Sequence, residues 1–225
     1  VGPGDHWLVP DNLQENRREL VAHRTSPTNI GLQLLSTLAA HDFGYLSIPS
    51  LLNRLEATFA TLLRMQRYHG HFFNWYDTRT LAPLVPAYIS TVDSGNLAGY
   101  LVTLRAGLLQ IAERAPIIDE SFLNGLEDLV DLIEEEIARA ATEQRREAAR
   151  GIRKELLHLR AQLANRPATL GAWSRLLLQI RDRISIVSVL LQEFEEPPIE
   201  DGADSVLIQV ADIGYWLDRA ASGVA

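Results

Sequence analysis

Beyond an irregular first 27 residues, apolar residues recur at helical spacing through most of this chain, and the recurrence is interrupted between His71 and Val92. A stripe of that period is buried only when the segment is helical and another helix covers it. The pattern therefore demands helix-on-helix packing as the main layer. Thr28 or Asn29 is placed to cap a first helix through Leu32, Leu34, Leu35 and Leu38 that stops near Gly44. A second opens after Ser47 with Pro49 in its first turn, and its stripe is Leu51, Leu52, Leu55, Phe59, Leu62 and Leu63. The period resumes at Ser94, read as a cap, and turns Leu97, Leu101, Leu104, Leu108 and Ile111 inward before Pro116. Asp119 would cap an acidic helix to about Ala141, and a charged helix follows to Asn165. With only Gly125 and Gly151 as weak breakers, these two are readable as one long rod. After Pro167 come helices over 170–194, with Leu176, Leu177, Ile180, Ile184, Val187 and Leu191 inward, and over 203–221, separated by Pro197-Pro198.

The expected fold is all-α, an array of antiparallel α-hairpins with a short β-hairpin excursion near 71–92. Residues 1–27 read as an irregular arm with at most one turn of helix near 13–20. Residues 28–115 read as hairpins with polar and aromatic loops, and 116–225 as an acidic helical part of the same domain.

The interruption carries the chemistry. His71-Phe-Phe-Asn74-Trp75-Tyr76-Asp77-Thr-Arg and, further on, Ser90-Thr-Val-Asp93-Ser-Gly-Asn96 mix rings, amides and two carboxylates. Rings offer faces to the C–H side of a pyranose, and carboxylates and amides offer directional hydrogen bonds to its hydroxyls. Glycoside chemistry uses paired carboxyl groups, which makes Asp77 and Asp93 the catalytic candidates. A plainer reading has Asp77 closing a turn, Asp93 capping the next helix and the rings filling core. A second polar cluster, His23-Arg24-Thr25-Ser-Pro-Thr-Asn29, precedes a helix start whose N–H groups are unpaired, and suits either an anion, sugar hydroxyls or an ordinary cap. The residues alone leave both pairs of readings open.

Composition removes several classes. A net charge of −8 with a single lysine, Lys154, argues against nucleic-acid binding. The acid excess is one-sided, with nine basic and nine acidic residues in 1–115 against twelve and twenty in 116–225. Without cysteine there is neither a disulfide nor a thiolate metal site, and His69-Gly-His71 lacks a helical ligand spacing, so no metal is expected. No apolar run is long enough to span a bilayer. No phosphate-cradling glycine loop occurs, and no cofactor is expected in this segment.

In order and spacing, His23-Arg-Thr-Ser-Pro-Thr-Asn-Ile-Gly31, His71 to Arg79 and Ser90-Thr-Val-Asp-Ser-Gly-Asn-Leu-Ala-Gly99 resemble the middle region of the bacterial cyclic β-1,2-glucan synthases. Trp7-Leu-Val-Pro-Asp-Asn-Leu-Gln-Glu15 looks like the start of that region. The likeness is specific over 7–105 and afterwards rests on helix pattern. It implies a glucoamylase-like region of a large membrane enzyme, built as part of an α/α toroid and associated with the transglycosylation that closes a glucan ring. A closed toroid of six hairpins needs roughly twice this length at about 60 residues per hairpin, so this chain would be its N-terminal part, inactive alone. The family's acid/base glutamate is then expected beyond Ala225. The implied partners are β-1,2-glucan and the remainder of the parent polypeptide. The implied location is the cytoplasmic face of the inner membrane, this segment being soluble. Arg24, Thr25, Asn29, Asn74, Trp75, Tyr76, Asp77, Asp93 and Asn96 would line the glucan cleft. The competing reading is a non-catalytic helical scaffold whose acidic helices bind a partner.

Overall fold

A computed structural model describes residues 1–14, 20–113, 120–140, 146–165 and 169–194. The chain divides into two units, Val1–Phe122 and Leu123–Ala225. Among the described residues the long elements are all helical, and the strands are two-residue antiparallel pairs.

The first unit is built on three helices. Helix α1, Pro27–Asp42, starts where the Ser26 hydroxyl accepts the Asn29 N–H, with Pro27 in the first turn. Sequence placed that cap two or three residues later. Helix α2, Ile48–Arg64, is capped in the same way by Ser47. Its buried stripe is narrower than the sequence suggests: Leu51, Leu55 and Leu62 are inside with Thr58 and Thr61, but Leu52 and Leu63 face out, Leu63 at 76% exposure. Helix α3, Thr91–Glu113, begins before the expected Ser94, because the Ser90 side chain accepts the Asp93 N–H at 3.1 Å and serves as cap. Asp93 thereby lies in the first turn, where a carboxylate meets unpaired N–H groups and the positive end of the helix dipole.

Contacts between α1 and α3 fix their direction. Thr28 touches Asp93 and Asn96, Gly31 lies under the Tyr100 ring, and Gly107 lies under Leu38. Both numbers rise together, so α1 and α3 run parallel, while α2 doubles back along α1 and bonds Thr58 to Gln33. The chain goes up, down and up, and the N-termini of α1 and α3 share one end. The close approach depends on glycine, since a Cβ at Gly107 would stand 2.5 Å from Leu38 Cδ2. Gly107→Ala is expected to cost about 1–2 kcal/mol as the leucine is forced aside, read as a lower midpoint in urea unfolding. The core of this unit is Leu8, Ile30, Leu34, Leu51, Leu55, Tyr76, Leu97 and Leu104, with Phe59, Leu101, Leu108 and Ile111 packed at its margin.

The segment between α2 and α3 is extended as expected, but it pairs differently. Strands β4 (Arg67–Tyr68) and β5 (His71–Phe72) form a tight hairpin over His69 and Gly70, both at positive φ, as a primed turn requires. Strand β6 (Tyr76–Asp77) pairs with β3 (Arg24–Thr25), far back in sequence. The aromatic segment and the stretch that follows it lie antiparallel through three backbone bonds: Asn74 N–H to Tyr88 O, Leu84 N–H to Trp75 O, and Asp77 N–H to Ala82 O. Pro83 and Pro86 carry no N–H, which keeps this arm from becoming a regular ladder. In the N-terminal arm, β1 (Leu13–Gln14) pairs with β2 (Leu20–Val21) where a helical turn was expected.

The second unit holds most of α4 (Glu120–Ala140), then α5 (Arg146–Leu163) and α6 (Leu170–Phe194). Leu123, Leu126, Val130, Ile133 and Ile137 make the apolar stripe of α4, and Leu176, Leu177, Ile180, Ile184, Val187 and Leu191 that of α6, as the spacing predicts. A single rod through α4 and α5 is excluded. Arg160 reaches Glu134 at 3.0 Å and also bonds Asp131, although 26 residues of straight helix would separate Arg160 from Glu134 by about 39 Å. The two helices fold back on one another. Arg183 pairs with Glu155 at 2.5 Å, and Glu135 with Arg139 one turn on. The expected caps and stops at Pro116, Asp119, Pro167 and 197–198, and the helix over 203–221, lie outside the described residues. No helix among the described residues is long and apolar enough to cross a membrane.

Candidate functional site

The shared end of α1 and α3 gathers most of the residues singled out in sequence. Asp11, from the N-terminal arm, receives Arg24 Nη2 at 3.0 Å and Nε at 3.2 Å on one oxygen, and Asn29 Nδ2 at 3.0 Å on the other. The Arg24 guanidinium lies over the Trp75 ring, 5.0 Å from its centroid. The indole N–H of Trp75 can only donate and the Asp93 carboxylate can only accept, which orients the Asn74 amide between them. Its oxygen accepts from Trp75 Nε1 at 2.6 Å and from the Tyr88 hydroxyl at 2.7 Å, and its nitrogen donates to Asp93 Oδ2 at 3.0 Å. Asp93 Oδ1 accepts the Thr28 hydroxyl at 2.5 Å, whose oxygen in turn accepts Asn96 Nδ2 at 3.1 Å. Thr28 and Asn29 are neighbours on α1. The circuit thus closes through the arm, β3, the aromatic segment, α3 and α1.

The circuit sorts the expected site residues. Arg24, Asn29, Asn74, Trp75, Asp93 and Asn96 belong to it. Asp77 does not: its Oδ1 accepts the N–H groups of Arg79 and Thr80 at 2.8 and 2.9 Å, the turn-closing role. Those bonds, the one from Thr80 first, outweigh burial and hold its carboxyl below the ordinary carboxylate value. Tyr76 and Thr25 are wholly buried, at 0% exposure, and have no surface to offer a ligand as the chain is folded. The Tyr76 hydroxyl donates to Gln66 O and accepts the Phe73 N–H, both at 2.7 Å, so it pins the aromatic segment to the end of α2. Burial raises its pKa and keeps it a neutral donor. Asp93 accepts one bond on each oxygen, from Thr28 on Oδ1 and from Asn74 on Oδ2, the arrangement of a group that orients its neighbours. Phe72 and Phe73 pack edge-on against Tyr76 as core.

Asp11, Thr28 and Tyr88 were not among the expected site residues, yet they take part in six of the circuit's eight hydrogen bonds. Nothing local marks Asp11, whose partners are 13 and 18 residues away; only the likeness of Trp7 to Glu15 to a known region pointed there. Sequence reasoning also passed over a second polar knot behind β3. Asp5 Oδ1 accepts His23 Nδ1 at 2.7 Å and the Thr78 hydroxyl, while the Thr78 N–H donates to His23 O. Burial works to raise the Asp5 carboxyl, but the bonds from Thr78 and His23, with the imidazole's charge, leave it below its unfolded value of 3.8. A depressed carboxyl stabilises the fold above the unfolded value, and that contribution vanishes as pH falls through the folded one. Wild-type stability is therefore expected to drop below about pH 4, with a shallower acid slope in Asp5→Asn, in denaturant melts from pH 6 to 2.5. Among the described residues no cluster of three or more His, Asp or Glu is placed to hold a metal.

With this geometry in view, comparison with known proteins finds one curated relative. The chain is 45% identical over 130 residues to the cyclic β-(1,2)-glucan synthase NdvB of Rhizobium meliloti strain 1021. The matched stretch is 58% of this chain but 5% of that protein, so the chain is similar to one small segment of it. No protein-family model matches.

Proposed function

We propose that this chain contributes a glucan-binding wall to a carbohydrate-active enzyme of cyclic β-1,2-glucan synthesis. In this reading it is a segment of a glucoamylase-like transglycosylation region within a larger membrane protein, on the cytoplasmic face. Its partners are β-1,2-glucan and the rest of that polypeptide. The observation that carries the reading is the circuit from Asp11 through Arg24, Trp75, Asn74, Asp93 and Thr28 to Asn29 and back to Asp11, with Asn96 attached at Thr28. It joins a charged donor, carboxylates, amides and ring edges on one end of a helical scaffold, which is the equipment of a sugar-binding surface. The 45% identity to part of a cyclic β-(1,2)-glucan synthase supports β-1,2-glucan as the ligand proposed for that surface. Asp93 serves as an orienting group, and the proton-transfer acid comes from outside the circuit.

Trp75 reports on the circuit, since its ring touches Arg24 and its N–H is spent on Asn74. Titrating the full-length protein with linear β-1,2-glucooligosaccharide is expected to change its tryptophan emission, and Trp75→Phe is expected to abolish most of that change. An unaltered wild-type spectrum at saturating sugar would remove the reading, as would a response that Trp75→Phe leaves intact.

A further inference from the structure

The register of the β3–β6 pair sets Arg24 directly opposite Asp77. Strand alternation puts Trp75, two residues before Asp77, on the same side. An arginine facing an aspartate across a strand pair ordinarily pairs with it. Here Arg24 turns away, lying on Trp75 and giving Nε and Nη2 to Asp11. Its Nη1 has no partner among the described residues, and the side chain is 51% exposed. The two backbone N–H groups that close the turn both bond Asp77 Oδ1, so Oδ2 lies outside them, with the Thr80 hydroxyl as a further donor to the carboxylate. The backbone bonds that close the turn keep Asp77 ionised, hence acceptor-only. A fixed donor and a fixed acceptor thus stand on one side of the ladder, each with capacity left over. Trp75 has one ring face already covered by the guanidinium, so it is a platform that holds Arg24 flat.

Resting on the glucan reading above, we infer that Arg24 Nη1 and Asp77 Oδ2 read the 3- and 4-hydroxyls of one glucosyl unit. A 1,2-linkage consumes positions 1 and 2 of each ring and leaves 3 and 4 as a free vicinal pair. One hydroxyl oxygen accepts from Arg24, and the other hydroxyl donates to Asp77. The 6-hydroxyl is not part of this pairing.

Calorimetric titration of the full-length protein with linear β-1,2-glucan tests the pair. Arg24→Gln and Asp77→Asn are each expected to weaken binding by about ten- to a hundredfold, the range for a lost hydrogen bond to a charged group. Asp77→Asn preserves the turn, because an amide oxygen accepts the same two N–H groups; unchanged melting temperatures confirm that both variants fold. Since both residues hold one diol, the double variant should lose less than the product of the single losses. A 6-deoxy oligosaccharide should bind the wild type as the parent sugar does, and 3- or 4-deoxy forms should bind as weakly to wild type as the parent sugar does to the variants. Both variants binding as tightly as the wild type, or equal sensitivity to 6-deoxygenation, would overturn this assignment and leave the glucan reading in place. A wild type that binds no β-1,2-glucan would end both.

Discussion

Alanine at Tyr76 is expected to destabilise the first unit by about 3–5 kcal/mol, the range for truncating a buried aromatic residue. The ring is fully enclosed and meets Phe72 and Phe73 edge-on. Its hydroxyl closes two backbone positions that nothing else in the core serves: the carbonyl of Gln66 loses its donor and the N–H of Phe73 its acceptor. Tyr76→Phe isolates that second contribution, with an expected cost of about 0.5–1.5 kcal/mol, the net worth of an ordinary hydrogen bond, because Gln66 is exposed and Phe73 only half-buried. Urea unfolding of the wild type and both variants gives these values directly. The functional consequence follows from position, because Tyr76 lies between Trp75 and Asp77 and anchors both. A Tyr76→Ala protein with wild-type stability would mean that the aromatic segment is not held through this ring.

Asp93→Ala is expected to have the largest effect on sugar binding. Removing the carboxylate strips Thr28 and Asn74 of their shared acceptor, and through Asn74 it frees the indole of Trp75. Two hydrogen bonds to a charged group, at about 1.5–3 kcal/mol each, set a ceiling of about 3–6 kcal/mol. Part is recovered by water, since Asp93 is only half-buried. We expect a stability loss of about 2–3 kcal/mol and glucan binding too weak to measure. Asp93→Asn is the sharper control: an amide oxygen still accepts the Thr28 hydroxyl, but its nitrogen confronts the Asn74 nitrogen, so the α1–α3 contact survives while the aromatic segment is released. Binding lost in Asp93→Asn with little change in melting temperature identifies Asp93 as a positioning residue of the sugar wall. Binding retained in both variants would return it to a helix-start role alone.

What was legible in the sequence follows from what each feature depends on. Helices α2 and α6 are legible because their stripes follow a local period, and the start of α2 because Ser47 caps it. The expected start of α3 was late because Ser90 and Ser94 are both competent caps, and the choice between them is made by the aromatic arm that delivers the chain to Ser90. The hairpin excursion is present as β4–β5, but β6 finds its partner about fifty residues back, at Arg24–Thr25, and no short-range signal encodes that. The rod through α4 and α5 failed on Arg160, whose acidic partners lie 26 and 29 residues upstream. Among the site residues, Arg24, Asn74, Trp75 and Asp93 were visible as chemistry out of place in a helical chain. Tyr76 and Thr25 belong to the same runs, but they alternate to the buried side of the β3–β6 pair, and the face could not be known before the register was.

In the proposed function, the end of the scaffold carrying the N-termini of α1 and α3 faces glucan. Hydrogen–deuterium exchange on the full-length protein, with and without saturating linear β-1,2-glucan, tests it most directly. Slowed exchange is expected only at the amides of 22–30, 73–80 and 88–96, with α5 and α6 unchanged. Protection that spares those three stretches and appears on the acidic helices would contradict it.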